Sequence, residues 1–201
     1  MSPITGGTAQ AEIIDRILAV VSGGLILQTD VVAATRLGLA TPPEGSTDPI
    51  QGVLDRLIER QLMLIEVDRY GPAEPPRGAI DAALLEIDKR VGSGERMSAI
   101  LRETGMTVDQ LRLRVRDDLR VRAYLDQRFN VPVAPAEDEV LEYYRTHPAE
   151  FTRDDALRPY AEVREAARQA LIAERRSQLI REWLAGLRRR TEVNVLYLPG
   201  R

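Results

Sequence analysis

Segments with the pattern of β-strands occur only near the two ends of this sequence, and helical patterns fill the space between them. Near the start, RILAVV and LILQT are short runs rich in Val, Ile and Leu on either side of a Ser-Gly-Gly turn at 22–24. The Gly-Gly pair supplies the positive φ angles of a tight hairpin turn. Near the other end, TEVNVLYL alternates Val193, Val195 and Tyr197 on one face, which predicts a half-buried strand. Because an isolated two-stranded hairpin is marginal in water, we expect the C-terminal strand to join the N-terminal hairpin.

Apolar residues between these ends recur at helical spacing and are bounded by helix start and stop signals. Thr29 or Asp30 is expected to cap a first helix through Leu39, and TPPEGSTDP is a loop by composition. The next predicted helices run from Asp48-Pro49 to Tyr70 and over Ile80–Val91, and a brief helical turn follows at Met97–Leu101. A Thr107/Gln110 capping box begins a helix that runs towards Phe129. A further helix extends from Glu137 to His147.

The last helical pattern is the longest and predicts one helix over Pro159–Arg190, about 45 Å long. Its apolar and small residues alternate in steps of three and four, as in a coiled-coil seam. The predicted seam consists of Val163, Ala166, Ala170, Ala173, Ser177, Ile180, Leu184 and Leu187. Small residues in its first half would let another helix approach closely.

The fold class predicted from this order is mainly α, with a small antiparallel sheet formed by the N-terminal hairpin and the C-terminal strand. Residues 1–201 are expected to form a single domain. Its parts are the hairpin and helices at 15–147, a linker at 148–158, and the returning helix and strand at 159–198.

The residues that enzymes most often use are scarce. The chain has no cysteine and one histidine, His147, just before a proline at a helix end, where an end-capping role is the simplest interpretation. VGSGERM lacks the third glycine and the Lys-Ser/Thr of a phosphate loop, and Asp154-Asp155 is adjacent loop charge. We therefore expect no catalytic residues, no metal and no cofactor.

Arginine-rich segments raise the possibility of nucleic-acid binding. LRLRVRDDLRVR and EWLAGLRRR could contact phosphates. The net charge of −3 and the 4% aromatic content favour helix faces carrying intrahelical ion pairs instead. No run approaches the length of a membrane span, so membrane insertion is not expected.

Six side chains are the candidates for contact with a polypeptide. Methionines are adaptable apolar groups suited to varied partners, although filling the core is the commoner role of any single one. The candidates are Met63, Met97, Met106, Tyr124, Tyr143 and Tyr144.

The order of these elements resembles the SurA family of bacterial periplasmic chaperones. DRILAVVSGGLILQTDV resembles the family's N-terminal ribbon, VLDRLIERQLMLIEVDRYG its next helix, and ETGMTVDQLRLRVRDDLRVRAYLDQRF its "GMT" helix. VPVAPAEDEVLEYYRTHPAEFT is similar to the segment that leads into the catalytic domain, and PYAEVREAARQALIAERRSQLIREWLAGLRRRTEVNVLYL resembles the returning helix and strand. The resemblance covers Asp15 to Leu198, and its most specific feature is the order of the pieces.

One departure from the family stands out. In SurA-like and PpiC-like relatives a parvulin prolyl isomerase domain follows the Glu-Phe that matches Glu150-Phe151, whereas here only Thr152 to Arg158 precede Pro159. The resemblance thus implies the trigger-factor-like peptide-binding body of the family without its isomerase domain. No catalytic position is carried over.

The resemblance implies an ATP-independent holdase in the periplasm that binds unfolded segments of secreted or outer-membrane proteins. The opening MSPITGGTAQAEIIDRI lacks the regions of a signal peptide, so this location follows from the resemblance only. Two alternatives stay open. One is a scaffolding or dimerisation module with one fixed partner, which in a homodimer would be a second copy of the chain, and the other is a nucleic-acid binder acting through the arginine-rich faces.

Overall fold

The computed structural model describes residues 15–130 and 134–198, which form seven helices and five short strands. The helices are α1 (Gln28–Arg36), α2 (Pro49–Tyr70), α3 (Arg77–Val91), α4 (Gly94–Thr104), α5 (Val108–Arg128), α6 (Glu137–Thr146) and α7 (Tyr160–Arg190). The strands are β1 (Ile17–Val21), β2 (Gly24–Leu27), β3 (Thr152–Arg153), β4 (Ala156–Leu157) and β5 (Val193–Val195). The predicted fold class, mainly α with a small antiparallel sheet, is confirmed.

The chain divides into two compact units, each built from separate segments. Among the described residues, the first unit contains 15–58, Leu85–Gln110 and 193–198, and the second contains Glu59–Leu84 and the described part of Leu111–Glu192. The expectation of a single domain with a linker at 148–158 stays a prediction.

The sheet of the first unit brings the two ends of the described chain together. Its strand order is β2-β1-β5, and both pairings are antiparallel. Val20 lies opposite Asn194, and beyond the strand the Leu196 and Tyr197 amides donate to the Leu18 carbonyl at 2.8 and 3.0 Å. The expected union of the C-terminal strand with the N-terminal hairpin is therefore confirmed, and it places β1 at the centre.

The outer strand is shorter than its sequence pattern predicts. It ends at Val195, which is 40% exposed, so the alternation does not continue as strand to Tyr197. Instead, the Tyr197 hydroxyl donates to the Asp48 carboxylate at 3.0 Å, just before the start of α2. Beyond Val195, a side-chain hydrogen bond therefore holds the chain where the backbone hydrogen bonds of the strand end.

The β1–β2 turn differs in one respect from the prediction. The positive φ angles belong to Ser22 (φ 49°) and Gly23 (φ 82°), while Gly24 is already paired with Val21. A two-residue loop with positive φ at both positions has the type I′ geometry, which matches the twist of the strands. Gly23, not a Gly-Gly pair, is the glycine that the turn uses.

Two helix starts follow their sequence signals closely. The Asp48 carboxylate accepts the Gln51 amide at 3.0 Å, and Pro49 is the first residue of α2. Before α5, the Gln110 side chain accepts the Thr107 amide at 2.7 Å while the Thr107 hydroxyl accepts the Gln110 amide at 3.1 Å. Both partners of the predicted capping box are thus in place.

The predictions for α1 and α4 need correction. Helix α1 begins at Gln28, so Asp30 lies in its first turn, where its carboxylate accepts the Leu27 amide at 2.8 Å. The helix ends at Arg36, not at Leu39. The brief turn predicted at Met97–Leu101 is the middle of an 11-residue helix, capped by Ser93 at its start.

Helix α7 forms over nearly the whole predicted span, but its buried face differs from the predicted seam. The buried residues in its first half are Val163, Ala167 and Leu171, which recur every four residues. Ala166 and Ala173 are exposed. Since Ala166 and Ala167 are chemically identical, composition alone could not identify the inward face.

A short hairpin separates α6 from α7. A 3₁₀ turn at Pro148–Phe151 leads into β3, and β3 pairs with β4 through a two-residue loop. The Arg158 amide donates to the Phe151 carbonyl at 3.0 Å and closes the hairpin at its base. In this loop Asp154 (φ 52°) and Asp155 (φ 60°) both have positive φ. The turn therefore has type I′ geometry, but it lacks the glycine that usually adopts positive φ in such turns without strain.

Replacing this loop by the double variant Asp154→Asn/Asp155→Gly is expected to raise the free energy of unfolding by about 1 kcal/mol. The new pair fits the backbone already present and removes the repulsion between adjacent carboxylates. Urea denaturation measures the change. Asp155→Ala is the control and should be destabilising, because alanine tolerates a left-handed conformation less well.

Candidate functional site

Aromatic side chains are few in this chain, yet they are concentrated in the second unit. The chain has one Trp, six Tyr and two Phe. All except Tyr197 fall into two clusters. One cluster contains Tyr70, Tyr124, Phe129 and Trp183, and the other contains Tyr143, Tyr144, Phe151 and Tyr160. Aromatic rings provide large apolar contact areas, either within the core or towards another molecule.

The first cluster lies where the end of α2 meets the last turns of α5. Tyr70 stacks on Tyr124 with ring centroids 6.1 Å apart, and Tyr124 contacts Trp183 at 5.8 Å. Tyr124 is 7% exposed and belongs to a hydrophobic cluster with Leu64 and Val67. Tyr70 is 61% exposed. One face of this aromatic group is thus fixed in the core while the other is open to solvent.

An open cavity of about 350 Å³ adjoins this group, and we call it the tyrosine cleft. It is lined by Tyr70, Pro72, Tyr124, Gln127 and Arg128. Tyr124 and Arg128 are four residues apart on α5, so they share one face of that helix. The chain turn after α2 brings Tyr70 and Pro72 to the same place.

Arg128 is held beside the aromatic rings. Its guanidinium carbon lies 5.8 Å from the centre of the Tyr124 ring, 5.6 Å from Phe129 and 5.7 Å from Trp183. Its Nη1 donates to the Tyr124 hydroxyl at 3.2 Å. Because a cation over an aromatic face is attracted to it, these contacts hold Arg128 in one place while leaving other guanidinium donors available.

The tyrosine cleft has the chemistry needed to hold a segment of polypeptide. Aromatic rings and Pro72 supply apolar contact area with few rotatable bonds. Arg128 and Gln127 can donate hydrogen bonds to backbone carbonyls, which every peptide has regardless of sequence. This combination favours broad over narrow selectivity.

The six predicted contact residues are not gathered at one place. Tyr124 lines the tyrosine cleft, and Met63 packs against the hydrophobic cluster behind it. Tyr143 and Tyr144 belong to the second aromatic cluster. Met97 and Met106 are half-buried in the first unit. Contact of these residues with a polypeptide stays a prediction.

The other residues of the cleft carry little signal in the sequence. In the sequence Tyr70 marks the end of a predicted helix, and Arg128 lies in the predicted helix that runs towards Phe129. The Tyr124/Arg128 pair at helical spacing was a usable signal. The approach of Tyr70 depends on tertiary packing and left no pattern in the sequence.

The second aromatic cluster has a mainly structural role. The Tyr143 ring stacks on His147 at 4.1 Å, and its hydroxyl donates to Glu150 at 3.0 Å. The Tyr144 hydroxyl donates to the Arg158 carbonyl at 2.7 Å, at the end of the hairpin. These bonds fasten α6 to the hairpin that follows it. The ring of His147 stays beside the helix end, as expected for an end-capping residue, with Nδ1 3.0 Å from the Tyr143 carbonyl.

Burial, together with the neighbouring Glu150 carboxylate, raises the pKa of the Tyr143 hydroxyl from 10.0 to about 12. Between these values the unfolded chain has lost the proton while the folded protein keeps it. The free energy of unfolding should therefore fall as pH rises through this window. We expect Tyr143→Phe to flatten that decline. Urea denaturation of both proteins at several pH values measures it, and parallel losses in the two would contradict the assignment.

Ion pairs occupy much of the arginine-rich surface. Arg112 of α5 pairs with Asp81 of α3 at 2.5 Å, and Arg120 of α5 pairs with Asp68 of α2 at 2.9 Å. On α7, Arg175 pairs with Glu139 of α6 at 2.5 Å. The expected intrahelical pairs are also present, as between Arg120 and Asp117 of α5 at 3.7 Å. The closest carboxylates of Arg112, Arg120 and Arg175, however, come from other helices. Each pair lowers the positive charge available to an external phosphate.

Residues 15–130 and 134–198 contain neither a metal-binding cluster nor a helix suited to a membrane. No group of three or more His, Asp or Glu side chains in this part of the chain is arranged to hold a metal ion. None of its helices combines the length and apolar character needed to cross a membrane.

Comparison with known proteins gives one informative result. No family model matches the chain, and no curated protein matches it. A solved structure from Campylobacter jejuni matches over 90% of this chain and 99% of its own, with a TM-score of 0.54 and 12% identity. It comes from a description of the virulence factor PEB4 and the periplasmic protein Cj1289 as two structurally related SurA-like chaperones. The chain is therefore similar in fold to SurA-like chaperones.

Proposed function

We propose that this protein is an ATP-independent chaperone that holds unfolded segments of secreted or outer-membrane proteins in the periplasm, without isomerase activity. The observation that carries the proposal is the likeness in fold to a structure of SurA-like chaperones over 90% of the chain. The element order noted in the sequence supports the same family.

The tyrosine cleft is the proposed contact site for a client. The exposed ring of Tyr70 offers apolar area, and the rings behind it are already fixed, so little side-chain entropy is lost on binding. Binding at a single open cleft of this size should be weak, with a Kd on the order of micromolar, about −8 kcal/mol. Weak binding suits a carrier that must release its client.

The absence of isomerase activity is part of the proposal. Between the 3₁₀ turn and α7 the chain contains only the hairpin of β3 and β4, closed by the bond from Arg158 to Phe151. A parvulin domain would need about a hundred residues, as a typical small domain does. The hairpin thus stands where SurA-like relatives, by the resemblance in sequence, have their parvulin domain.

An aggregation assay tests the proposal. An outer-membrane protein and two unrelated proteins are diluted from urea, and light scattering is followed with this protein at about tenfold above a micromolar Kd. We expect scattering to fall for all three clients without added ATP. Serum albumin at equal mass is the control.

The same assay separates the alternatives. Protection of one client alone would indicate a scaffold with a fixed partner. A nucleic-acid binder would protect none of the clients and would bind oligonucleotides with an affinity that falls steeply with salt. No protection of any client would contradict the proposed function.

A further inference from the structure

A second cavity, in the first unit, is lined by three arginines and has an apolar floor. It has a volume of about 320 Å³ and lies among α1, α3 and α4. Arg36, Arg90 and Arg96 supply the charges, and Val91, Ala99 and Ile100 supply the floor. Each arginine comes from a different helix, so the cavity exists only in the folded unit. We call it the arginine cavity.

Arg90 is positioned by a close contact with the backbone. Its Nη1 donates to the Gly38 carbonyl at 2.6 Å. A Cβ at Gly38 would lie 2.7 Å from the Arg90 Cδ, and Gly38 has a φ of 63°. Only glycine permits both the backbone conformation and this approach. The side chain of Arg90 is therefore held across the end of α1.

Two of the three guanidinium charges have no carboxylate partner among the described residues. Arg36 pairs with Glu103. Arg90 bonds to the neutral carbonyl of Gly38, and Arg96 makes no side-chain hydrogen bond or ion pair within residues 15–130 and 134–198. This differs from the basic faces of the second unit, where arginines such as Arg112 and Arg120 pair with carboxylates of other helices. Glu86 is close enough to Arg90 to interact with it electrostatically, but within the described part of the chain neither Arg90 nor Arg96 forms an ion pair, so the cavity keeps an excess of positive charge.

The floor of the cavity determines which anion fits. Ile100 is buried, and Val91 and Ala99 are half-buried, so a ligand meets apolar groups beneath the arginines. A fully hydrated phosphate would gain nothing from this floor. A carboxylate attached to an apolar side chain would satisfy both parts, since guanidinium groups form paired hydrogen bonds with a carboxylate.

We propose that the arginine cavity binds the terminal carboxylate of a polypeptide whose last residue has an apolar side chain. This inference rests on the proposed function, because it names a feature by which a client would be recognised. The arginines hold the carboxylate, and the last side chain lies on Val91 and Ile100. Each unfolded chain presents this group once, at its end.

Peptide binding tests the inference directly. A dye-labelled Gly-Ser-Gly-Ser-Gly-Leu peptide is prepared with a free C-terminal carboxylate and with a C-terminal amide, and fluorescence anisotropy gives both affinities. We expect the free acid to bind at least about tenfold more tightly than the amide, and we expect added salt to weaken the binding of the acid only. A free acid ending in Asp should bind less well than the one ending in Leu.

Variants locate the binding. Arg96→Gln and Arg90→Gln should each remove most of the difference between acid and amide. Arg102→Gln is the matched control: it makes the same change on an exposed residue of α4 that does not line the cavity, and it should leave the difference unchanged. Equal affinity for acid and amide would overturn the inference, as would tight binding of the acid by Arg96→Gln.

The outcome can be separated from that of the proposed function. If clients are protected from aggregation but acid and amide bind equally, the inference fails and the chaperone proposal stands. If no client is protected but the acid binds through Arg96, the cavity is a carboxylate site and the chaperone proposal fails.

Discussion

Removal of residues 193–201 is expected to lower the free energy of unfolding by about 3 kcal/mol, since several hydrogen bonds worth about 1 kcal/mol each are lost. The truncation removes all of β5, whose register places Val193, Asn194 and Val195 opposite β1. It also removes the Tyr197 bond to Asp48. What remains of the sheet is a two-stranded hairpin, which is marginal in water.

Hydrogen exchange localises this effect. Amides of β1 should lose protection in the truncated protein, whereas amides in the middle of α7 should keep theirs. Tyr197→Phe serves as the control because it removes a single hydrogen bond, and we expect a loss of about 1 kcal/mol from it. Unchanged protection of β1 after truncation would mean that the third strand contributes little.

The double variant Tyr70→Ala/Arg128→Ala is expected to weaken client binding by at least about tenfold, equivalent to 1.4 kcal/mol. Tyr70 is the most exposed ring of the tyrosine cleft, and Arg128 carries its charged donors. Tyrosine and arginine are the residue types that most often dominate a binding energy. The concentration needed to halve light scattering by an unfolded client measures the change.

The control for this variant keeps the cleft and removes apolar surface elsewhere. Leu113 is 51% exposed on the same helix α5 but does not line the cleft. Leu113→Ala should protect clients as well as the original protein does. If both variants lose protection equally, general apolar surface and not the tyrosine cleft holds the client. Circular dichroism checks that both remain folded.

Local rules explain why much of the fold was predictable. The Thr107/Gln110 capping box and the Asp48 cap depend on residues within one turn, and their bonds form as the sequence predicts. The pairing of β5 with β1 was predictable for another reason: a single strand pattern at one end had one possible partner. Errors occurred where neighbouring residues are equivalent, as at Ala166 and Ala167 of α7.

The candidate sites were less predictable because they depend on tertiary contacts. Tyr124 was among the predicted residues, but Tyr70 and Arg128 acquire their importance only where α2 and α5 meet. The arginine cavity needs the ends of three helices. In the sequence Arg36, Arg90 and Arg96 look like ordinary surface charges. The sequence alone does not show which arginines have a carboxylate partner and which do not.

The central position of β1 has a consequence for how the molecule is made. A ribosome releases β1 before all seven helices and β5 after them, so the residues between the two strands are synthesised while one edge of β1 lacks its neighbour. Helices α1 to α7 need only nearby residues to form, but the sheet must wait for a contact between distant parts of the chain, which is entropically slow. Completion of the first unit should therefore come only after β5 has left the ribosome.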